Sequence, residues 1–187
     1  MKRIIQSIIL TLFSLTTSNS HANIIPLEEA LKRSGTVLFI RHALAPGFGD
    51  PSHFDVSLCE TQRNLNTKGK KQAKAIGSAF RLAGYSGEPV LTSPWCRCRE
   101  TAVLMNIGPV EKFSGLSSFF ENHVERSTTL SQLKKRISQI LPSSTPIVMV
   151  THQVVISAIT GIAPISGGAV LYDPRKRNAT PVSIAAQ

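Results

Sequence analysis

Residues 36–42 read Thr-Val-Leu-Phe-Ile-Arg-His. The first five form a short apolar run behind Gly35, the pattern of a strand buried on both faces. A guanidinium and an imidazole follow at once, two groups that a core strand does not need. The arrangement recurs further along the chain. Residues 89–92 (Pro-Val-Leu-Thr) run into Ser93-Pro94-Trp95-Cys96-Arg97, and residues 146–151 (Pro-Ile-Val-Met-Val-Thr) run into His152.

Between these strands the apolar period changes. Ala73, Ile76, Phe80 and Ala83 recur at steps of three and four, with Lys68, Lys70, Lys71 and Lys74 elsewhere. This predicts an amphipathic helix over 67–83, started by Asn66 or Thr67 and stopped by Gly84. Ser93 as N-cap with Pro94 at the first helical position predicts a helix to about Asn106, ahead of Gly108-Pro109. Leu130, Leu133, Ile137, Ile140 and Leu141 mark another, ended by Pro142, and a helical run follows His152 to Thr160. Residues 170–172 read as a last, edge strand. Strands alternating with helices predict an α/β fold: three layers, a largely parallel sheet, helices on both faces. The segment 46–65 has little periodicity and is long for a connection, which marks it as a functional loop.

The chain has 187 residues, a length suited to one domain, and 42% hydrophobic residues, enough for a core. Lys and Arg outnumber Asp and Glu by 21 to 11, a net charge of +10 that favours anionic partners without choosing among them. The N-terminus has the pattern of a secretory signal peptide over residues 1–22. Lys2 and Arg3 precede a mostly apolar run at 4–15, and Ser20-His21-Ala22 is a small-x-small cleavage signal. The run is shorter than the ~20 residues that span a bilayer. The expectation is a mature domain over 23–187, periplasmic or secreted, with no stable membrane insertion after cleavage. Cys59, Cys96 and Cys98 agree with export. One disulfide from Cys59 to either of the others, or three buried thiols, are both compatible with the spacing.

In open α/β sheets, ligands bind outside the carboxyl ends of the strands. Arg41, His42, Arg97 and His152 all arrive there, with Arg97 in the first turn of a helix whose N-terminus adds N–H donors. Two permanent guanidinium forks and two imidazoles suit a tetrahedral dianion. Taken singly, each of these residues has an ordinary structural explanation. Their coincidence at three strand ends points to a phosphoryl site.

Arg41-His42 after a buried strand, Ser93-Pro94-x-x-Arg97 and Thr151-His152 resemble, in order and spacing, the motifs of the histidine phosphatase superfamily, the phosphoglycerate-mutase-like fold. Leu65-Asn66-x-x-Gly69-x-x-Gln72-Ala73 and Glu100-Thr101-Ala102 resemble its intervening stretches, so the likeness spans about 36–160. The resemblance implies a phosphatase in which His42 is the nucleophile, its other ring nitrogen held by a backbone carbonyl. Arg41, Arg97 and His152 would clamp the phosphoryl oxygens, and a carboxylic acid would protonate the leaving group, with no metal or other cofactor. Among Glu100, Glu111, Glu121 and Glu125, the aromatic loop at 116–120 favours Glu121, with Glu125 second. Ala43 departs from the family's usual Arg-His-Gly. The Arg-His-Ala start, the Pro-Gly-x-Gly-Asp-Pro loop, Thr61-Gln62-Arg63-Asn64-Leu65 and Trp95-Cys96-Arg97-Cys98 are similar to a small exported branch. That branch includes proteins described as lipopolysaccharide-core heptose-phosphate phosphatases. Membership implies Arg63 and Asn64 as substrate-binding residues and a phosphorylated small molecule or glycolipid as substrate.

Competing motifs are weak. A cysteine phosphatase needs Arg six residues after the thiol, where Ala102 and Leu104 stand here. There is no Walker loop and no His-Glu-x-x-His. Lys134-Lys135-Arg136 and Arg175-Lys176-Arg177 read as solvated faces. With few aromatics to stack bases, no nucleic-acid partner is expected. The rival to an enzyme is a non-catalytic binder of anionic phosphorylated glycan or glycolipid, motivated by Ala43 and the unsettled acid.

Overall fold

The apolar run at 36–40 lies in the middle of the sheet. The computed structural model describes residues 23–85 and 87–184, so the expected leader at 1–22 lies outside the described residues. The strands are β1 (Ile25–Pro26), β2 (Val37–Arg41), β3 (Val90–Thr92), β4 (Val110–Lys112), β5 (Ile147–Thr151), β6 (Ala169–Asp173) and β7 (Asn178–Ser183). They form one sheet in the order β1-β7-β6-β2-β5-β3-β4. The β2–β5, β5–β3, β3–β4 and β1–β7 pairs are parallel, while β6 runs antiparallel to both β2 and β7.

The helices are α1 (Leu27–Leu31), α2 (Thr67–Leu82), α3 (Cys96–Met105), α4 (Arg126–Ser138) and α5 (Gln153–Thr160). Successive β2 residues face opposite ways. Leu38 and Ile40 pack with Ile76 and Phe80 of α2 and Ala102 and Met105 of α3. Val37 and Phe39 pack with Leu133 and Ile137 of α4 and Val155 and Ile156 of α5. This double coverage is why the strand reads as unbroken apolar sequence, and it gives the expected three layers. Phe39 is fully buried, so Phe39→Ala would remove about 3–5 kcal/mol of stability.

Four details differ from the sequence reading. The 170–172 run is not an edge strand: as β6 it lies between β2 and β7. The strand outside it, β7, contains Pro181, which reads as a breaker. β1 reaches only Val182 and Ser183, so Pro181 stands where β7 has an open edge and a missing N–H is tolerated. The three-residue β4 and two-residue β1 are too short to show a period. Helix α3 starts at Cys96 rather than Pro94, because the Gln62 side chain accepts from the Cys96 N–H at 2.9 Å and caps it there. Helix α2 begins as expected, with Asn66 accepting from the Gly69 N–H.

Parallel pairing puts the carboxyl ends of β2, β5 and β3 side by side. Arg41 pairs with Thr151 and Thr92 pairs with Val150, so the residues that follow each strand meet at one edge.

Candidate active site

A cavity of about 160 Å³ opens at that edge, lined by Arg41, His42, Arg63, Arg97 and His152 among others. The sheet supplies the first two and the last, and the first turn of α3 supplies Arg97. The His42 and His152 rings stand edge to face, 5.5 Å apart.

The His42 Nδ1 lies 2.8 Å from the Ala43 carbonyl oxygen. A carbonyl only accepts, so Nδ1 carries the proton and the Nε2 lone pair is free. Burial, then the Arg97 charge, with smaller contributions from Arg63 and Arg41 and against the pull of the Ala43 carbonyl, lowers the pKa of His42 to about 3. The imidazole is therefore neutral at physiological pH. His152 is likewise held well below its usual range by burial and by Arg97, His42, Arg63 and Arg41. The Ser93 Oγ lies 2.9 Å from its Nε2 and the Cys98 Sγ 3.5 Å, on the inner side of the ring.

The alanine at position 43 is accommodated. Its methyl packs with Ala45, Leu65 and Ala73, and its N–H donates to the Thr101 hydroxyl at 3.0 Å. Thr101 in turn donates to the Arg97 carbonyl at 2.6 Å, linking the His42 turn to α3.

The charge balance of the site rests on Asp50, which sequence reasoning missed. Its carboxylate accepts from Arg97 Nη1 and Nη2 at 2.7 and 3.1 Å, from the Trp95 indole at 3.2 Å and from the Arg63 N–H at 2.9 Å. Both side chains of the Arg97 pair are almost wholly buried. Burial alone would raise the Asp50 pKa, but the Arg97 hydrogen bonds and the other donors outweigh it, and the carboxyl is held low. The Nε of Arg97 and the Nε of Arg41 are buried with no hydrogen-bond partner among the described residues. The signal that could have found Asp50 is its place in Gly-x-Gly-Asp-Pro: a buried arginine cluster needs a counter-ion, and the loop at 46–65 holds few carboxylates.

The remaining candidates sit differently. Arg63 reaches the cavity, but it also donates to the Ala45 carbonyl and, through Nε, to the Gly49 carbonyl at 2.9 Å, so it fastens the loop as well. Asn64 is not brought to the cavity; it lines a separate depression, and its amide donates to the Cys59 and Gln62 carbonyls. Glu121 does not itself line the cavity; its carboxylate lies against the rim residue Gly49, and it follows Phe120 in the chain. Its carboxylate accepts from the Asp50 N–H at 3.0 Å and lies 3.5 Å from His123 Nε2. Its φ of 60° is left-handed, a conformation that costs a non-glycine residue about 1–3 kcal/mol and that clusters at functional sites. Glu100 instead pairs with Lys70 at 2.8 Å, Glu111 lies on β4, and Glu125 immediately precedes α4; none of these lines the cavity.

The structure pairs Cys59 with Cys96 and leaves Cys98 free and buried, its thiol pushed up to about 12 by burial. The bridge ties the 46–65 loop to the start of α3, next to Arg97. Among the described residues, Asp50, Glu121 and His123 form a donor set within 4.8 Å. The Asp50 carboxylate is already saturated by protein donors, so this set does not fit a metal ion. No described helix is long and apolar enough to cross a membrane.

No family model matches the sequence, and no curated protein matches it significantly. Solved structures do match. A protein proposed to be the phosphohistidine phosphatase SixA of Agrobacterium tumefaciens superposes with a TM-score of 0.55 at 18% identity, over 82% of this chain and 97% of that one. The protein TTHB049 of Thermus thermophilus gives 0.54 at 17%, over 79% and 99%. The phosphoserine phosphatase of Entamoeba histolytica, solved with 3-phosphoglyceric acid, gives 0.51 at 13%, over 81% and 97%. Likeness across almost the whole of each neighbour, at such low identity, is likeness of architecture. The chain therefore shares the fold of these proteins, a three-layer α/β architecture built on a largely parallel sheet.

Proposed function

We propose that this chain is a phosphomonoesterase that works through a phosphohistidine on Nε2 of His42. The observation that carries the reading is the His42 tautomer: Nδ1 is tied to the Ala43 carbonyl, so a neutral ring presents Nε2 to a cavity lined by three arginines. The Nε2 lone pair attacks phosphorus and the bond to the leaving oxygen breaks. Glu121, beside the rim, gives that oxygen its proton. Its carboxylate then takes a proton from water, the water oxygen attacks phosphorus, the P–N bond breaks, and inorganic phosphate leaves. Arg41, Arg97 and Arg63 stabilise the equatorial oxygens, the main work in phosphoryl transfer. A Ser93 hydroxyl proton directed at His152 Nε2 would place the ring proton on Nδ1, where it can donate to a phosphoryl oxygen. The arginine charge serves this chemistry without a metal ion.

The compartment and substrate belong to the same proposal. The signal-peptide pattern at 1–22 and a Cys59–Cys96 bridge support a periplasmic or secreted enzyme. The net charge of +10 and the resemblance to the exported branch support a phosphosugar or lipopolysaccharide-core phosphate. One observation favours the second reading, a non-catalytic binder: Asp50 already holds both terminal nitrogens of Arg97. Hydrolysis of an aryl phosphate by residues 23–187, wild type beside His42→Ala and with EDTA present, decides between them. Turnover by the wild type alone supports the enzyme. Turnover by neither, with phosphate still bound, supports the binder. Turnover by both contradicts the role of His42.

A further inference from the structure

Two aromatic rings stand at the mouth of the cavity with no role in the chemistry above. Phe48 is 87% exposed and Phe120 is 36% exposed. They meet edge to face with centroids 5.0 Å apart, and both line the cavity. One exposed ring is ordinary, but two in contact at a cavity mouth form an apolar patch, the kind of feature that marks a binding site. Mobility of the turn does not account for it, because the turn is fastened on every side. Gly47 and Gly49 flank Phe48 with φ of 94° and 66°, and Arg63 holds the Ala45 and Gly49 carbonyls. The next residue, Asp50, is anchored by its carboxylate to Arg97 and by its N–H to Glu121. The turn that presents Phe48 is thus built from the same groups that form the phosphoryl site.

The position of the pair says what it meets. A phosphoryl group held by Arg41, Arg97 and the histidines takes up the floor of a cavity of only about 160 Å³. The rest of the substrate must leave through the mouth, past Phe48 and Phe120. Glu121, the proposed proton donor, directly follows Phe120 in the chain. The leaving oxygen and the atoms attached to it therefore lie beside the two rings.

We infer that Phe48 and Phe120 form a leaving-group subsite for a ring with an apolar face, either an aryl ring or the C–H face of a sugar. This rests on the phosphatase reading and names the substrate class. Such a face removes water from both phenyl rings, whereas a short acyclic or charged leaving group gains nothing there.

Binding of non-hydrolysable phosphonates tests the subsite apart from turnover. Phenylphosphonate, a hexopyranose phosphonate and methylphosphonate would each be titrated into wild type, Phe48→Ala and Phe120→Ala by calorimetry. The expected result is at least one ring phosphonate binding about tenfold or more tighter than methylphosphonate. Each substitution should remove most of that advantage and leave methylphosphonate unchanged. The ring favoured, phenyl or pyranose, tells which source supplies the face. Equal affinities for all three ligands, or an equal loss for methylphosphonate in both variants, overturns the subsite. Failure of the phosphatase reading would appear elsewhere, as turnover that survives His42→Ala.

Discussion

The floor and the rim of the cavity are built by different means. The floor comes from the ends of β2 and β5 and the first turn of α3, all backed by fully buried apolar side chains of the sheet and both helical layers. Its geometry follows from parallel register, and little can shift without breaking the core. The rim comes from two loops, 46–65 and 113–125, which meet through a few polar contacts: Asp50 to Arg97, Glu121 to the Asp50 N–H, Arg63 to two carbonyls. Four of the described residues there or nearby, Gly47, Gly49, Glu121 and Asn122, take left-handed backbone conformations. In the proposed reading, the floor holds the group common to all phosphate esters, and the rim meets the part that varies.

If the two regions divide the work this way, substitutions should separate them. The largest effect belongs to Arg97, where they join. Arg97→Ala removes the proposed phosphoryl contact and leaves Asp50 as an uncompensated buried carboxylate. Activity should fall below detection, and stability should drop by about 3–5 kcal/mol in urea unfolding. A stable but inactive variant would mean that Asp50 does not depend on its partner. Glu121→Gln acts at the rim. Turnover of alkyl phosphates should fall by about 10²–10⁴-fold while the nucleophilic step survives. An aryl phosphate, whose leaving group needs no proton, should lose far less. Equal losses on both in kcat/KM, which excludes the later water step that Glu121 also serves, would remove Glu121 as the acid.

A smaller rim effect is expected at Gly49. A Cβ there would collide with the Glu121 carboxylate. Gly49→Ala should displace Glu121, reproduce part of its leaving-group dependence and cost about 0.5–3 kcal/mol of stability. The smallest effect, per unit of pH, concerns the floor histidines. Both have folded pKa values below the ordinary 6.5, His42 near 3. Below pH 6.5 the unfolded chain binds protons that the folded one refuses, so stability falls as pH drops from 6.5 toward 3. The slope is about 1.4 kcal/mol per pH unit for each histidine. His42→Gln should flatten it by one histidine's share in urea midpoints taken across that range.

The same division explains what the sequence could disclose. Arg41, His42, Arg97 and His152 were legible because each sits at the end of an apolar run or at a helix start, and strand and helix periods place such residues in space. That a backbone carbonyl holds the His42 ring was implied by the resemblance alone, and it is the Ala43 carbonyl that does so. Asp50, Phe48 and Phe120 were not legible. Their positions depend on where two aperiodic loops close over the sheet, and no local period encodes that. Asn64 shows the converse: it neighbours Arg63 in sequence, yet the turn at 59–64 directs it to another depression. β7 was missed because Pro181 reads as a breaker unless the open sheet edge is known.

The proposed mechanism turns on a covalent bond between phosphorus and Nε2 of His42. Mixing the protein with an aryl phosphate, quenching in alkali to preserve phosphohistidine, and mapping peptides by tandem mass spectrometry tests it directly. The expected result is the mass of one phosphoryl group on His42, absent from His152 and from the His42→Ala variant. Phosphate on another residue, or rapid turnover with no labelled histidine at any quench time, would contradict it.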